Sequence, residues 1–168
     1  MKKLGNVISN SSPIIGLSML GLIELLWQLF QQVYVTEAVY DEVVNKGKNN
    51  TGAKELAKAV NNNKIKVYKV KDKYLIENFL GKLHKGELEV IAAAKEFNNK
   101  PYILLDDKAA RYLAERLLLE PTGLIGFLRI AKVYGKIESI KYYLDQLIDN
   151  NFRISKKLYL EIIKEDNK

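Results

Sequence analysis

Short apolar segments alternate with helical patterns along this chain, and this alternation limits the fold more than any other feature. Strands are predicted at residues 7–9, 33–35, 64–70 and 102–105, with a short extended piece at 120–122. Strands separated by helices form βα units, which build a parallel sheet covered by helices on both faces. The sequence therefore predicts an α/β fold.

Helical patterns fill the intervals between the strands. Thr36 is predicted to be an N-cap, and Pro13 suits the first turn of a helix because its missing N–H costs nothing there. Strand 64–70 alternates apolar and polar residues, which indicates an edge position, whereas 102–105 is apolar throughout and indicates burial. The predicted helices cover residues 13–30 with a break near Gly21, 36–44, 53–60, 72–83, 86–97, 108–117, a stretch up to 134, 137–148 and 155–164.

The length and composition favour one folded domain with a sizeable core. The chain has 168 residues, of which 48% are hydrophobic and 28% charged. We expect a main domain over residues 1–135 and a helical extension over 136–168 that packs on it and serves packing or dimerisation. No cysteine is present, which excludes disulfides, thiolate metal sites and cysteine nucleophiles.

The net charge and the apolar N-terminal stretch bear on partners and location. The formal net charge of +7 favours a polyanionic partner, nucleic acid first, although scattered lysines also serve plain solubility. Gly21, Glu24 and Gln28 interrupt the apolar stretch 13–30, and a membrane span needs about 20 mostly apolar residues. We expect a soluble cytoplasmic protein without a signal peptide.

Polar residues follow two of the predicted strands at the point where each ends. Asn10 follows the first strand, and Asp106 and Asp107 follow strand 102–105. In open parallel sheets, sites form beyond the carboxyl ends of the strands, so these residues are expected on one rim. Capping of the next helix explains one aspartate of the pair and leaves the other without an explanation.

Two glutamates lie towards apolar helix faces in the sequence. At about 100° per residue, Glu87 falls within the apolar arc of helix 86–97, whereas Glu89 and Glu96 fall on the opposite side. Glu42 borders the stripe formed by Val39 and Val43. A core-facing carboxylate must be paired, protonated or bound to metal, and the alternatives are a first-turn capping glutamate for Glu87 and a solvated flank for Glu42.

Acidic residues that converge on one rim repel each other unless a cation lies between them. Mg²⁺ and Mn²⁺ take oxygen ligands and are commonly shared with substrate phosphates, where they support hydrolysis of phosphodiesters. That chemistry needs neither cysteine nor histidine. The single histidine, His84, is predicted to be a surface residue.

The chain resembles the PIN-domain superfamily, especially a prokaryotic branch of it. The resemblance spans nearly the whole chain, including the closing NFRISKKLYLEII. It is carried by five segments in order, which are VISNSSPIIGLSMLGLIELL, VYVTEAVYDEVV, KGELEVIAAAKEF, YILLDDKAARYLAERL and PTGLIGFLRIAKVYGKI. The resemblance implies a three-layer α/β/α fold with a central parallel sheet of about five strands. It also implies a Mg²⁺- or Mn²⁺-dependent ribonuclease, many relatives being toxins of toxin–antitoxin pairs, with RNA, a cognate antitoxin and a second copy of the chain as partners.

The resemblance also assigns the site. The four acidic positions of the family fall on Asn10, Glu42, Glu87 (with Glu89 as a second register) and Asp107 or its neighbour Asp106. Ser12 falls near a hydroxyl position beside the metal shell. Asn10 departs from the family pattern, in which an aspartate is usual, and an amide oxygen coordinates a hard cation without contributing charge.

Three hypotheses follow for the function. The first is a metal-dependent ribonuclease with Lys46, Lys108 and Arg111 near the phosphates, Arg111 being equally suited to an ion pair with the acidic cluster. The second, which Asn10 favours, is a catalytically weak or inactive PIN-like module that binds RNA or protein. A phosphotransfer domain of the receiver or haloacid-dehalogenase type is rejected, because it needs an aspartate nucleophile after an early strand.

Overall fold

A parallel five-stranded sheet organises the chain, and a computed structural model describes all residues, 1–168. The strand order is β3-β2-β1-β4-β5, and helices cover the sheet in a three-layer α/β/α arrangement, as predicted. Val7 pairs with Val33 on one side and with Tyr102 on the other, so β1 is the central strand. The strands are β1 Val7–Ser9, β2 Val33–Thr36, β3 Ile65–Tyr68, β4 Tyr102–Leu104 and β5 Pro121–Thr122.

Ten α-helices connect and flank these strands. Most follow the predicted helical patterns, and the stretch 13–30 breaks where expected, since Gly21 adopts a left-handed backbone with φ of 69°. The helices are α1 Ser11–Met19, α2 Leu25–Leu29, α3 Glu37–Tyr40, α4 Ala53–Asn61, α5 Tyr74–Phe79, α6 Lys85–Glu96, α7 Lys108–Arg116, α8 Leu124–Val133, α9 Ile140–Asp149 and α10 Lys156–Asp166.

Predicted segment 36–44 differs from the structure in its second half. Thr36 caps α3 as predicted, its side chain accepting a hydrogen bond from the Val39 N–H. The chain then continues as a π-helix over Asp41–Lys46 instead of an α-helix. The π-helix ends before Gly47. This position needs glycine, because a Cβ there would collide with the Val43 carbonyl oxygen. Single-turn π segments are rare and frequently occur at functional sites.

One continuous hydrophobic core of 40 buried residues joins the sheet to its helices. Val7 and Ile8 of the central strand are fully buried, as are Ile103 to Leu105 around β4 to within 1%. The strand predicted at 64–70 shortens to β3 and lies at the sheet edge, as its alternation indicated. No helix combines the length and apolar character needed to cross a membrane.

The C-terminal helices are fastened to α8 by a polar cluster, which we call the Asp166 clasp. The Asp166 carboxylate accepts hydrogen bonds from Lys132 of α8, Ser139 and the backbone N–H groups of Ile140 and Lys141. Arg129 adds two hydrogen bonds to Glu165 at 2.8 Å. Residues 136–168 thus pack on the preceding helices. We retain as a proposal that they form an extension distinct from residues 1–135.

Candidate metal centre

The rim beyond the carboxyl ends of β1, β2 and β4 gathers the residues singled out in the sequence. Because these three strands are neighbours in the sheet, Asn10, the helical turn that carries Glu42, and the Asp106–Asp107 pair lie beside each other. The N-terminus of α6, which carries Glu87, approaches the same rim: Gly86 contacts both Asn10 and Glu42. Side chains from four separate parts of the chain therefore share one site.

Asn10 and Glu42 direct oxygen atoms into a space that a glycine keeps open. A Cβ on Gly86 would lie 3.2 Å from Glu42 Oε2 and 3.3 Å from Asn10 Oδ1, so both oxygens border the same small volume. Glu42 Oε2 also accepts a hydrogen bond from the Ser11 hydroxyl at 2.8 Å. Asn10 is only 7% exposed. Its Oδ1 accepts no hydrogen bond, which is costly for a buried polar atom and points to a missing partner.

Glu87 is buried at 8% exposure in the first turn of α6, where its Oε2 accepts the His84 N–H at 3.0 Å. This is the capping role considered as the alternative for this residue. Burial raises the pKa of the Glu87 carboxyl above its ordinary value. The His84 N–H partly offsets that rise, while the negative charges of Asp107 and Glu42 add to it. Asp107 and Glu42 therefore lie close enough to Glu87 for their charges to affect its pKa.

Asp106 and Asp107 have different partners, which the sequence did not distinguish. Asp106 Oδ1 accepts the Leu124 N–H at 2.7 Å, and its Oδ2 accepts the Ser12 hydroxyl at 3.0 Å, so both oxygens are engaged. Asp107 uses Oδ2 to cap α7 through the Ala110 N–H at 2.9 Å. Its Oδ1 makes no hydrogen bond to the protein, which leaves Asp107 as the aspartate with a free oxygen.

Of the three basic residues predicted to lie near the phosphates, only Lys46 forms an ion pair. Lys46 makes an exposed ion pair with Asp41 at 3.4 Å. Arg111 is half-buried near Asp106, its Nη1 being 3.5 Å from where a Cβ on Gly123 would lie. The suggested ion pair between Arg111 and the acidic cluster is not formed, because no carboxylate oxygen lies within 4.0 Å of it. Lys108 is exposed at the start of α7, and His84 is exposed as predicted.

The prediction for Glu89 was wrong. It was placed on a solvent-facing side of its helix, yet it is only 3% exposed, and its Oε2 accepts the Ala38 N–H at 2.8 Å. The reason is that α6 is buried on all sides from Gly86 to Ala94, so helical periodicity gives this segment no outer face. The uninterrupted apolar run 90–94 was the sequence feature that could have indicated this burial. Glu89 serves to hold the start of α3.

The oxygens of Asn10 and Glu42 are donors of the kind that a hard divalent cation takes when it keeps most of its water. No group of three or more histidine, aspartate or glutamate side chains is placed so that it could hold a metal ion. Mg²⁺ commonly takes one or two carboxylates and retains several waters, so such a group is not required. The unpartnered Asn10 oxygen and the adjacent Glu42 oxygen are the observation that supports the fit.

The parallel sheet, with helices on both faces, defines a three-layer α/β/α protein that carries acidic residues at one rim. A family model described as a PIN domain matches residues 6–168. The chain belongs to the PIN-domain family, whose members generally use divalent metals. No curated protein matches the sequence.

Proposed function

We propose that the protein is a ribonuclease that hydrolyses RNA phosphodiester bonds at a site holding Mg²⁺ or Mn²⁺. The buried Oδ1 of Asn10, which accepts no hydrogen bond and lies near Glu42 Oε2, carries this proposal, because a divalent ion would supply the partner that this oxygen lacks. The raised pKa of Glu87 next to Asp107 and Glu42 supports it independently. Membership of the PIN-domain family supplies the nuclease-type fold.

We assign Asn10, Glu42 and Asp107 to the ion, and Glu87 to the water that the ion would retain, because no three acidic side chains are grouped to hold it. Asp106 is assigned a supporting role, since both of its oxygens already accept hydrogen bonds and one of them positions Ser12. A bound ion of this type would stabilise charge on the phosphate and lower the pKa of a bound water. Glu87, with its raised pKa, would be suited to hold a proton released at this site.

The proposal extends to the setting of this activity. We propose a toxin of a toxin–antitoxin pair, acting in the cytoplasm as a homodimer and held by a cognate antitoxin. Large apolar side chains that a partner could cover lie on the surface, among them Val133 at 83% and Leu118 at 79% exposure. Light scattering at two protein concentrations tests the dimer, and a monomer at both would remove that part of the proposal.

A PIN-like module with weak or no catalysis is the second candidate. Two observations favour it: the residue at the first acidic position is the neutral Asn10, and no complete three-ligand protein cage is present. Such a module would bind RNA or a protein partner through the same surface, and its binding would tolerate Glu87→Gln.

Cleavage of a short labelled RNA with and without Mn²⁺ separates the two candidates. We expect Mn²⁺-dependent cleavage by the wild type and by Glu115→Gln, an exposed control on the same helix that Asp107 caps. Cleavage should fall at least 100-fold in Glu87→Gln and Asp107→Asn, on the order expected for removing a catalytic proton acceptor or a ligand. Equal cleavage by all four proteins would refute the assigned site. RNA binding without cleavage by the wild type would favour the second candidate.

A further inference from the structure

A groove of about 690 Å³ opens next to the candidate metal centre and runs along the rim of the sheet. One end is formed by Glu42 and Gly86, which belong to that centre. The other end lies beyond the carboxyl end of the edge strand β3, where Lys69 follows the strand directly. The lining of the groove therefore includes residues of the candidate metal centre and residues at the edge strand.

Three lysines, two on the loop between β3 and α5 and one at the start of α6, line this groove without an acidic partner. Lys69 follows β3, Lys73 precedes α5, and Lys85 is the first residue of α6. All three are exposed, and none has a carboxylate oxygen within 4.0 Å. Unpaired ammonium groups from two parts of the chain that line one groove attract an anion with several charges.

Most acidic residues of the groove are already engaged elsewhere. Glu89 accepts the Ala38 N–H, Asp41 pairs with Lys46, and Glu42 accepts the Ser11 hydroxyl at the metal centre. Glu37 is the remaining carboxylate in the groove. None of these carboxylates forms an ion pair with Lys69, Lys73 or Lys85, so the three ammonium groups remain available to a phosphate.

We infer that Lys69, Lys73 and Lys85 bind successive phosphates of a single RNA strand on one side of the bond that is cut. This inference rests on the proposed ribonuclease function. Lysine binds phosphate as a point charge, so contacts of this kind fix the path of the strand without reading its sequence. The groove thus gives the site an entry direction, from the β3 edge towards Glu42.

Binding of a short labelled single-stranded RNA, measured by fluorescence anisotropy in EDTA between 50 and 200 mM KCl, tests the inference apart from catalysis. The test variant carries Lys69→Gln, Lys73→Gln and Lys85→Gln together. The control carries Lys156→Gln, Lys157→Gln and Lys164→Gln on the exposed side of α10, and thus loses the same charge. Thermal melting verifies that both variants are folded.

We expect the groove variant to bind the RNA on the order of 10- to 100-fold more weakly, and the control to bind within about 3-fold of wild type. Each phosphate contact adds about 0.7 to the slope of log affinity against log salt for single strands, so the groove variant should lose about 2 from that slope. The single variant Lys85→Gln should lose about 0.7.

The outcomes separate this inference from the proposed function. Equal weakening in the groove and control variants would overturn the inference, even if Mn²⁺-dependent cleavage is present. Selective weakening in the groove variant supports the inference, and if the wild type then fails to cleave RNA, only the catalytic proposal is lost. Unchanged RNA binding in the groove variant, with binding of an acidic protein reduced instead, would also overturn the inference.

Discussion

Gly86→Ala places a methyl group in the space between the two oxygens that we assign to the metal. The new Cβ would lie 3.2 Å from Glu42 Oε2, 3.3 Å from Asn10 Oδ1 and 3.5 Å from Val39 Cγ2. The contact with Val39 is ordinary, but both oxygens are closer than usual and must move away by a few tenths of an ångström. The substitution therefore perturbs the metal centre without removing any charge or hydrogen bond.

The stability of the metal-free protein should be retained in this variant. Alanine is favoured over glycine by about 0.8–1.0 kcal/mol in a helix interior, and position 86 is the second residue of α6, where only part of that gain applies. We expect the free energy of unfolding without metal to stay constant or rise by at most about 1 kcal/mol.

Metal affinity should fall. Mg²⁺ requires oxygen distances of about 2.0–2.1 Å in near-ideal octahedral geometry, so displaced ligands are poorly tolerated. Changes in the surroundings of metal ligands typically reduce affinity by about 10- to 100-fold. At a metal concentration that saturates the wild type, Gly86→Ala should therefore gain about 1.4–2.8 kcal/mol less stabilisation.

Thermal melting during a Mn²⁺ titration measures both quantities. Gly5→Ala is the matched control, because a Cβ there meets no atom within 4 Å. A folded Gly86→Ala protein that responds to Mn²⁺ as the wild type and Gly5→Ala do would refute the placement of the ion between Asn10 and Glu42.

Four further substitutions test other parts of the structure. The folded-state pKa of Glu87 is raised, so the stabilisation from this carboxyl is present at low pH and is lost as pH rises through that pKa. Without metal, Glu87→Gln should accordingly have a higher melting temperature than the wild type at pH 7 and the same melting temperature below about pH 4. A lower melting temperature at pH 7 would contradict this. Asp107→Asn should retain its stability without metal, since asparagine also caps helices, but should lose most of the Mn²⁺-induced rise in melting temperature. Asp106→Ala should lower the free energy of unfolding, measured in urea, by about 2 kcal/mol. Burial alone would raise the pKa of Asp166, but its hydrogen bonds, led by that from Lys132, hold the pKa far below its ordinary value. The stabilisation from the Asp166 carboxylate is therefore present at neutral pH and is lost as pH falls. Asp166→Asn should lower the free energy of unfolding by about 2–4 kcal/mol at pH 7 and leave it unchanged in strong acid.

Local patterns were sufficient to predict the parts of the structure that depend on neighbours in sequence. The strands, the Thr36 cap, the break at Gly21 and the edge position of β3 each depend on a few adjacent residues. The Asp107 cap belongs to the same group, because its partner Ala110 is three residues away. The rule that sites form beyond strand ends then placed Asn10 and the aspartates on one rim.

Contacts between distant residues could not be predicted in the same way. The bond from Ala38 to Glu89 spans 51 residues, and the bond from Leu124 to Asp106 spans 18. Neither hydrogen bond corresponds to a periodic pattern in the sequence. The π-helix that carries Glu42 and the unpartnered oxygen of Asn10 likewise depend on packing of elements that are far apart in the chain.

The central position of β1 has a consequence for the stage of synthesis at which the candidate site can assemble. Its partner β4 is nearly a hundred residues downstream, as the pairing of Val7 with Tyr102 records. Contacts between such distant segments form slowly, and until β4 has docked, Asp107 is absent from the rim. A nascent chain emerging from the ribosome therefore carries Asn10 and Glu42 long before it can assemble a complete site, so any RNA cutting would be delayed until most of the polypeptide has been made.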